Sequence, residues 1–275
     1  MTRIVLSLLL AALAAFAQMP GREEIARMER MLVDNPRDDN TRVSLLYYYF
    51  RMASGRSEDP GLAQVARLKH ILYYVDNEPG TVPAAALLYY IAATGFNGSA
   101  PEHKQLYERW KRLAAERPTD WPIVRNAAWF LAIEHKAEAK ELLRSTQARL
   151  PENKSVPVTL GLIYGMDMVG LDNLAGEVGA LVRDPERQKL REDAHKALDA
   201  EQNVYTLAGA ATELRVAPSL GRLMTPFAGM EEYTAELERR AGVEAMRVAA
   251  AEYDEAVRQS SVTRGYMRPP ARLAR

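Results

Sequence analysis

Six prolines keep time along this chain. Pro36, Pro79, Pro118, Pro151, Pro185 and Pro218 stand 43, 39, 33, 34 and 33 residues apart. Each ends a stretch of helical pattern, as in ERMLVDNP, KRLAAERP and TELRVAP. Proline has no N–H to donate and its ring clashes with the preceding turn, so it cannot continue a helix. A short polar step follows each of the first five (RDDNT, GTV, TDW, ENKS, ERQ), and several steps offer Asp, Asn, Ser or Thr as N-caps. Pro83, Pro122 and Pro157 fall where a first-turn proline is tolerated. The unit is therefore helix, turn, helix, proline.

Between the prolines, apolar residues recur at three- and four-residue spacings among Ala, Leu, Glu, Arg and Lys, a helical pattern. One segment dissents. In SVPVTLGLIYG (155–165), Val156, Val158, Leu160 and Leu162 alternate with period two, as a strand does. Its helical neighbours and its place in the unit favour a helix.

A period near 34 with a closing proline resembles the tetratricopeptide repeat. The unit from 152 to 185 carries the resemblance best, with Leu160-Gly161-x-x-Tyr164, Ala180 and Pro185 at the family's places. Leu45 and Tyr49 fit in the first unit, Leu88 in the second, and Trp110 takes a large aromatic place in a second helix. The family's leading Trp is replaced by Val124 and Pro157 in two units, and Ala92 replaces its Tyr in another. The first two units are longer, and their excess falls in the Gly/Ser/Pro stretches ASGRSEDPG (53–61) and TGFNGSAPE (94–102), where insertions cost little. The resemblance implies an all-α fold: a right-handed α-α superhelix of about five irregular hairpins over 36–218, with extra helices at the ends. Residues 18–35 read as an N-terminal capping helix with Ile25, Met28, Met31 and Leu32 on one face. Residues 219–260 read as a C-terminal helical segment broken near Gly242, and 261–275 as a disordered basic tail.

The first seventeen residues read as a secretory signal peptide. Arg3 gives a positive start, Ile4 to Phe16 an apolar run, and Ala15-Phe16-Ala17 a small-x-small cleavage site. The run is too short for a comfortable membrane span. An exported protein, periplasmic or extracellular, with no transmembrane span after cleavage is expected. The chain has no cysteine, so neither a disulfide nor a lipidated N-terminal Cys can serve it. Stability must come from apolar burial, and 48% of residues are apolar.

Catalytic patterns are missing. The four histidines, His70, His103, His135 and His195, are scattered and read as surface residues; there is no HExxH, GxSxG, P-loop or dinucleotide turn. Asp34 to Asn40 is rich in oxygen ligands but lacks the Gly and distal Glu of a calcium loop, so a helix end plus N-cap explains it better. Met28 and Met31 read as core, and Glu231-Glu232 has no identifiable partner. No cofactor and no metal are expected. With 36 basic against 36 acidic side chains, a general nucleic-acid surface is not expected either.

One pattern points to binding. Eleven residues past successive prolines stand Tyr47, Tyr90, Trp129 and Leu162. By the resemblance they lie on first helices, which line the concave groove of the family. Tyr48, Tyr49 and Tyr89 add aromatic surface; Arg125 and Asn126 add polar contacts. Packing between helices is the simpler account of any one aromatic, and a groove the alternative. The expectation is a non-catalytic scaffold that binds a protein or peptide through Tyr47, Tyr90, Arg125, Asn126 and Trp129. Its rivals are a polysaccharide-acting enzyme of helical-toroid type, promoted by a pocket holding a carboxylate of raised pKa, and a small-ligand or lipid carrier, promoted by a closed apolar cavity.

Overall fold

A computed structural model describes residues 20–52, 60–81, 101–169, 185–216 and 227–266. Among them the protein is all-α, with eleven helices and no strand. They are α1 (Arg22–Asp34), α2 (Asp39–Arg51), α3 (Pro60–Asn77), α4 (Pro101–Glu116), α5 (Trp121–Glu134), α6 (Lys136–Arg149), α7 (Ser155–Val169), α8 (Pro185–Ala200), α9 (Val204–Val216), α10 (Met230–Ala241) and α11 (Val243–Tyr266). Several sequence readings lie outside the described residues: the signal segment, Leu88, Tyr89, Tyr90, Ala92, Ala180, Pro218, and the tail beyond 266.

The chain forms two compact units, Met1–His70 with Tyr266–Arg275, and Ile71–Gly265. In the first, α1 packs on α2. Ile25, Met28 and Leu32 of α1 meet Leu45 of α2, with Tyr48 and Tyr49 partly buried against them. Met31 is 37% exposed, because it sits one residue off the buried stripe. Asp38 caps α2: its Oδ1 accepts from the Thr41 amide at 3.1 Å and its Oδ2 from the Thr41 hydroxyl at 2.7 Å. The cap accounts for one acid of the Asp34–Asn40 cluster.

In the second unit each helix packs on its chain neighbour from α4 to α8, α9 packs on α10, and contacts also join next-but-one helices α5 with α7 and α7 with α9. Helical hairpins stacked side by side give this pattern. Pro79, Pro118 and Pro151 stand just past α3, α4 and α6, as their spacing implies. Pro185 opens α8, where its missing N–H costs nothing. The polar step read after it is α8's first turn.

The period-two signal in 155–165 is overridden. α7 is buried around its circumference, from Val156 through Gly165 and again at Asp167, Met168 and Val169. Apolar residues on every face contain a period-two subset by default, so alternation carries no information there. α7 also crosses α9 at backbone contact. A Cβ on Gly161 would lie 2.0 Å from the Thr206 carbonyl oxygen, and one on Gly209 would lie 2.2 Å from that of Val158. Only glycine allows this approach.

The C-terminal segment breaks at Gly242, whose φ of 77° and ψ of 165° form a backbone conformation that glycine adopts without strain. Residues 261–266, expected in the basic tail, continue α11 instead, since no proline interrupts the helix before Pro269.

Candidate functional site

α5 has one buried and one partly exposed stripe. Ile123, Val124, Ala127, Ala128, Phe130 and Leu131 are at most 3% exposed. Trp121, Arg125 and Trp129, at i, i+4 and i+8, share the opposite stripe and are only partly buried. Burial lowers the pKa of Arg125, while Glu252 and Glu255 of α11 pull it back up.

The other expected groove residues fall elsewhere. Asn126 is fully buried, and its Nδ2 donates to the carbonyls of Pro79 at 2.8 Å and Thr81 at 3.3 Å. It fastens the turn after α3 and cannot reach a partner. Tyr47 is half-buried on α2, in the first unit. Leu162 is 3% exposed and belongs to the core. Tyr49 donates its hydroxyl to Glu29 at 2.9 Å and packs edge-on against Tyr48.

Sequence reasoning missed a buried network in the first unit. His70, expected at the surface, is 0% exposed. Its Nδ1 lies 3.2 Å from Arg42 Nη1, and its Nε2 lies 2.9 Å from Glu29 Oε1. Arginine only donates, so Nδ1 must accept and the proton sits on Nε2, which donates to Glu29. Glu29 also takes Lys69 at 3.2 Å, and Arg42 donates to the Pro36 carbonyl at 2.6 Å. Burial lowers the pKa of His70, Glu29 opposes that, and Arg42 and Lys69 add to it; the net direction is down. Burial pushes Glu29 up, but its bonds from His70, Tyr49 and Lys69 outweigh this and hold it low.

A His held neutral has a stated pH sign. Its contribution is complete above its ordinary value of 6.5 and is lost as pH falls below it, because the unfolded chain then binds a proton that the fold resists. We expect ¹⁵N NMR to find His70 as the Nε2–H tautomer, with a midpoint below 6.5. An Nδ1–H tautomer, or a midpoint above that value, would refute the network as drawn. The sequence held a signal: Glu29, Arg42 and His70 each occupy a core-facing place of an apolar stripe, beside Met28, Leu45 and Ile71.

A cleft of about 550 Å³ opens between α6, α7 and α8, lined by Lys140, Arg144, Tyr164, Glu138, Glu141 and Asp193, with Ala137 and Ala197. Lys140 is committed to the buried Asp167 at 2.7 Å, which Lys136 also meets at 2.9 Å. Arg144 donates to the Tyr164 hydroxyl. The cleft is open rather than closed. Glu213 of α9 is a further buried acid: it packs against Gly165, and burial alone pushes its pKa up to about 7. It does not line the cleft. Among the described residues no group of three His or acidic side chains could hold a metal ion, and no helix is long and apolar enough to cross a membrane.

Set against models of known protein families, against curated proteins and against solved structures, the chain matches none.

Proposed function

We propose that this chain is an exported helical-repeat scaffold, a right-handed superhelix of tetratricopeptide type, that binds a protein or peptide partner. The supporting observation is the face of α5. Two of the chain's three tryptophans, Trp121 and Trp129, flank Arg125 on its partly exposed stripe, whereas Trp110 is 1% exposed. Large aromatics with an arginine between them, on a helix whose other side is core, form a typical protein-contact patch. Tyr47 on α2 offers a further partly exposed aromatic in the first unit.

The test is comparative capture. Tagged wild-type chain and a Trp121→Ala/Trp129→Ala variant are crosslinked in the native envelope fraction, and the enriched proteins are compared. A partner that the wild type enriches and the double variant loses by about tenfold supports the patch, since a contact anchor contributes on the order of 2 kcal/mol. Identical profiles from both chains, with the variant's helical content unchanged, would refute it.

A further inference from the structure

One arginine in the cleft between α6, α7 and α8 gives up its local partner. Arg144 stands three residues after Glu141 on α6. At the same spacing Glu24 pairs with Arg27 at 2.6 Å, Glu236 with Arg239 at 2.7 Å, and Glu244 with Arg247 at 3.0 Å. Such pairs form readily, because residues three apart are neighbours on a helix surface. Arg144 turns away from Glu141, crosses to α7 and donates to the Tyr164 hydroxyl. Glu141 is left with no ion pair among the described residues.

Tyr164 lies at the base of the cleft and is 3% exposed. Burial, against the pull of Arg144, raises its pKa, so the phenol keeps its proton. Its oxygen accepts from Arg144, yet its own O–H meets no acceptor among the described residues. A guanidinium carries several N–H groups, and most of those on Arg144 remain after that one bond. Lys140 adds positive charge, with its ammonium 5.1 Å over the Tyr164 ring. Donors are in excess here. A carboxylate would accept from the Arg144 fork and from the Tyr164 hydroxyl together.

The rest of the lining says what else such a ligand carries. Glu138 is taken by Lys111 at 2.9 Å and by the Tyr107 hydroxyl at 2.8 Å, and Lys140 by Asp167 at 2.7 Å. Arg144 then faces Glu141 and Asp193, and neither acid has an ion pair among the described residues. A phosphate would answer Arg144 but be repelled by both acids. A ligand with a carboxylate at one end and an ammonium at the other answers each of them. Length follows from the walls. α6 and α8 supply them, and both pack on α7. A helix is about 10 Å across, and an extended chain spans roughly 3.3 Å per residue, so two or three residues reach from wall to wall where one does not. The volume of about 550 Å³ is that of a small-ligand site.

We propose that this cleft binds a short peptide with free ends, its carboxylate held by Arg144 and Tyr164 and its ammonium by Asp193 and Glu141. Ala137 and Ala197 leave room between the charged ends for small side chains. The site shares no residue with the α5 patch and does not depend on it.

Isothermal titration calorimetry of the full chain with trialanine tests this. Binding should weaken at least ~10-fold when the ammonium is removed, in N-acetyl-trialanine, and likewise when the carboxylate is removed, in trialanine amide, because each loses a charged hydrogen bond. Arg144→Gln should weaken trialanine by a similar factor and leave trialanine amide unchanged. Asp193→Asn should weaken trialanine and leave N-acetyl-trialanine unchanged. A purely structural role for either residue would move every probe alike. Both residues are exposed, so the variants should keep the wild-type far-ultraviolet circular dichroism, and the comparison of capped probes needs no variant at all. No binding of trialanine at millimolar concentration, or equal affinity for the free and the capped peptides, overturns the proposal. Inorganic phosphate or L-alanine binding as tightly as trialanine overturns the peptide as the ligand. None of these readings uses the partner captured through α5, so the two ideas fail separately.

Discussion

Alanine at Gly209 should cost the second unit at least about 3 kcal/mol, the upper range for an overpacked core. The added methyl carbon would lie 2.2 Å from the Val158 carbonyl oxygen and 3.1 Å from the Leu162 nitrogen, and both are backbone atoms that cannot rotate away. α7 and α9 must separate, and neighbours that are already close-packed must follow. Gly161→Ala meets the Thr206 carbonyl oxygen at 2.0 Å and the Ala210 nitrogen at 2.8 Å, and should cost a similar amount. For a unit of this size, each such loss lowers the melting temperature by roughly 6–12 °C. Both methyls open the same crossing, so once one has spread the helices the second costs less; the double variant should fall short of the sum by 1 kcal/mol or more. Urea unfolding of the two single variants and the double variant measures this. Losses below about 1 kcal/mol, or strict additivity, would mean that α7 and α9 do not meet through these glycines.

That crossing shows what could be read from the residues and what could not. The proline spacing located α4 through α7 because punctuation is local: a missing N–H ends a helix whatever surrounds it. Gly161 was noticed only as part of a resemblance. Its physical reason, the carbonyl of Thr206, is 45 residues away in the chain. The buried polar residues were misread for a related cause. Asn126 looked like a groove contact because it neighbours Arg125, yet a shift of one residue on a helix turns the side chain by about 100°, towards the Pro79 carbonyl. Nothing local to α5 says which of the two faces the turn. His70 read as a surface residue because histidine usually is one, although its flanks, Ile71 and Tyr74, already traced a buried stripe. For the groove, Trp129 and Arg125 lie on the partly exposed stripe of α5. Leu162, eleven residues past Pro151, does not, because α7 has neighbours on every side.

Glu213→Gln should stabilise the protein in alkaline solution and do so in a pH-dependent way. Glu213 lies on α9 with its Cβ 2.5 Å from where a Gly165 Cβ would be, and desolvation alone raises its carboxyl from the ordinary 4.5 to about 7. Among the described residues no cation is paired with it: Lys136 and Lys140 are taken by Asp167 of α7, and Arg215 of α9 by Glu238 of α10. The sign follows from proton counting. The folded state holds this proton more tightly than the unfolded chain, so the carboxyl favours folding most below about 4.5, and that advantage drains away as pH rises to about 7. The difference across this window is on the order of 3 kcal/mol, at about 1.4 kcal/mol per unit of pKa. Glutamine keeps the shape and never ionises, so the variant should exceed the wild type by up to that amount near pH 8 and by little near pH 4.5. The quantity to plot is the difference between the two chains. Wild-type stability alone also contains His70 and Glu29, whose lowered pKa values act with the opposite slope. If the difference stays level from about pH 4.5 to 8, the carboxyl is solvated or paired, and the α7–α9 crossing is not the dry contact described above.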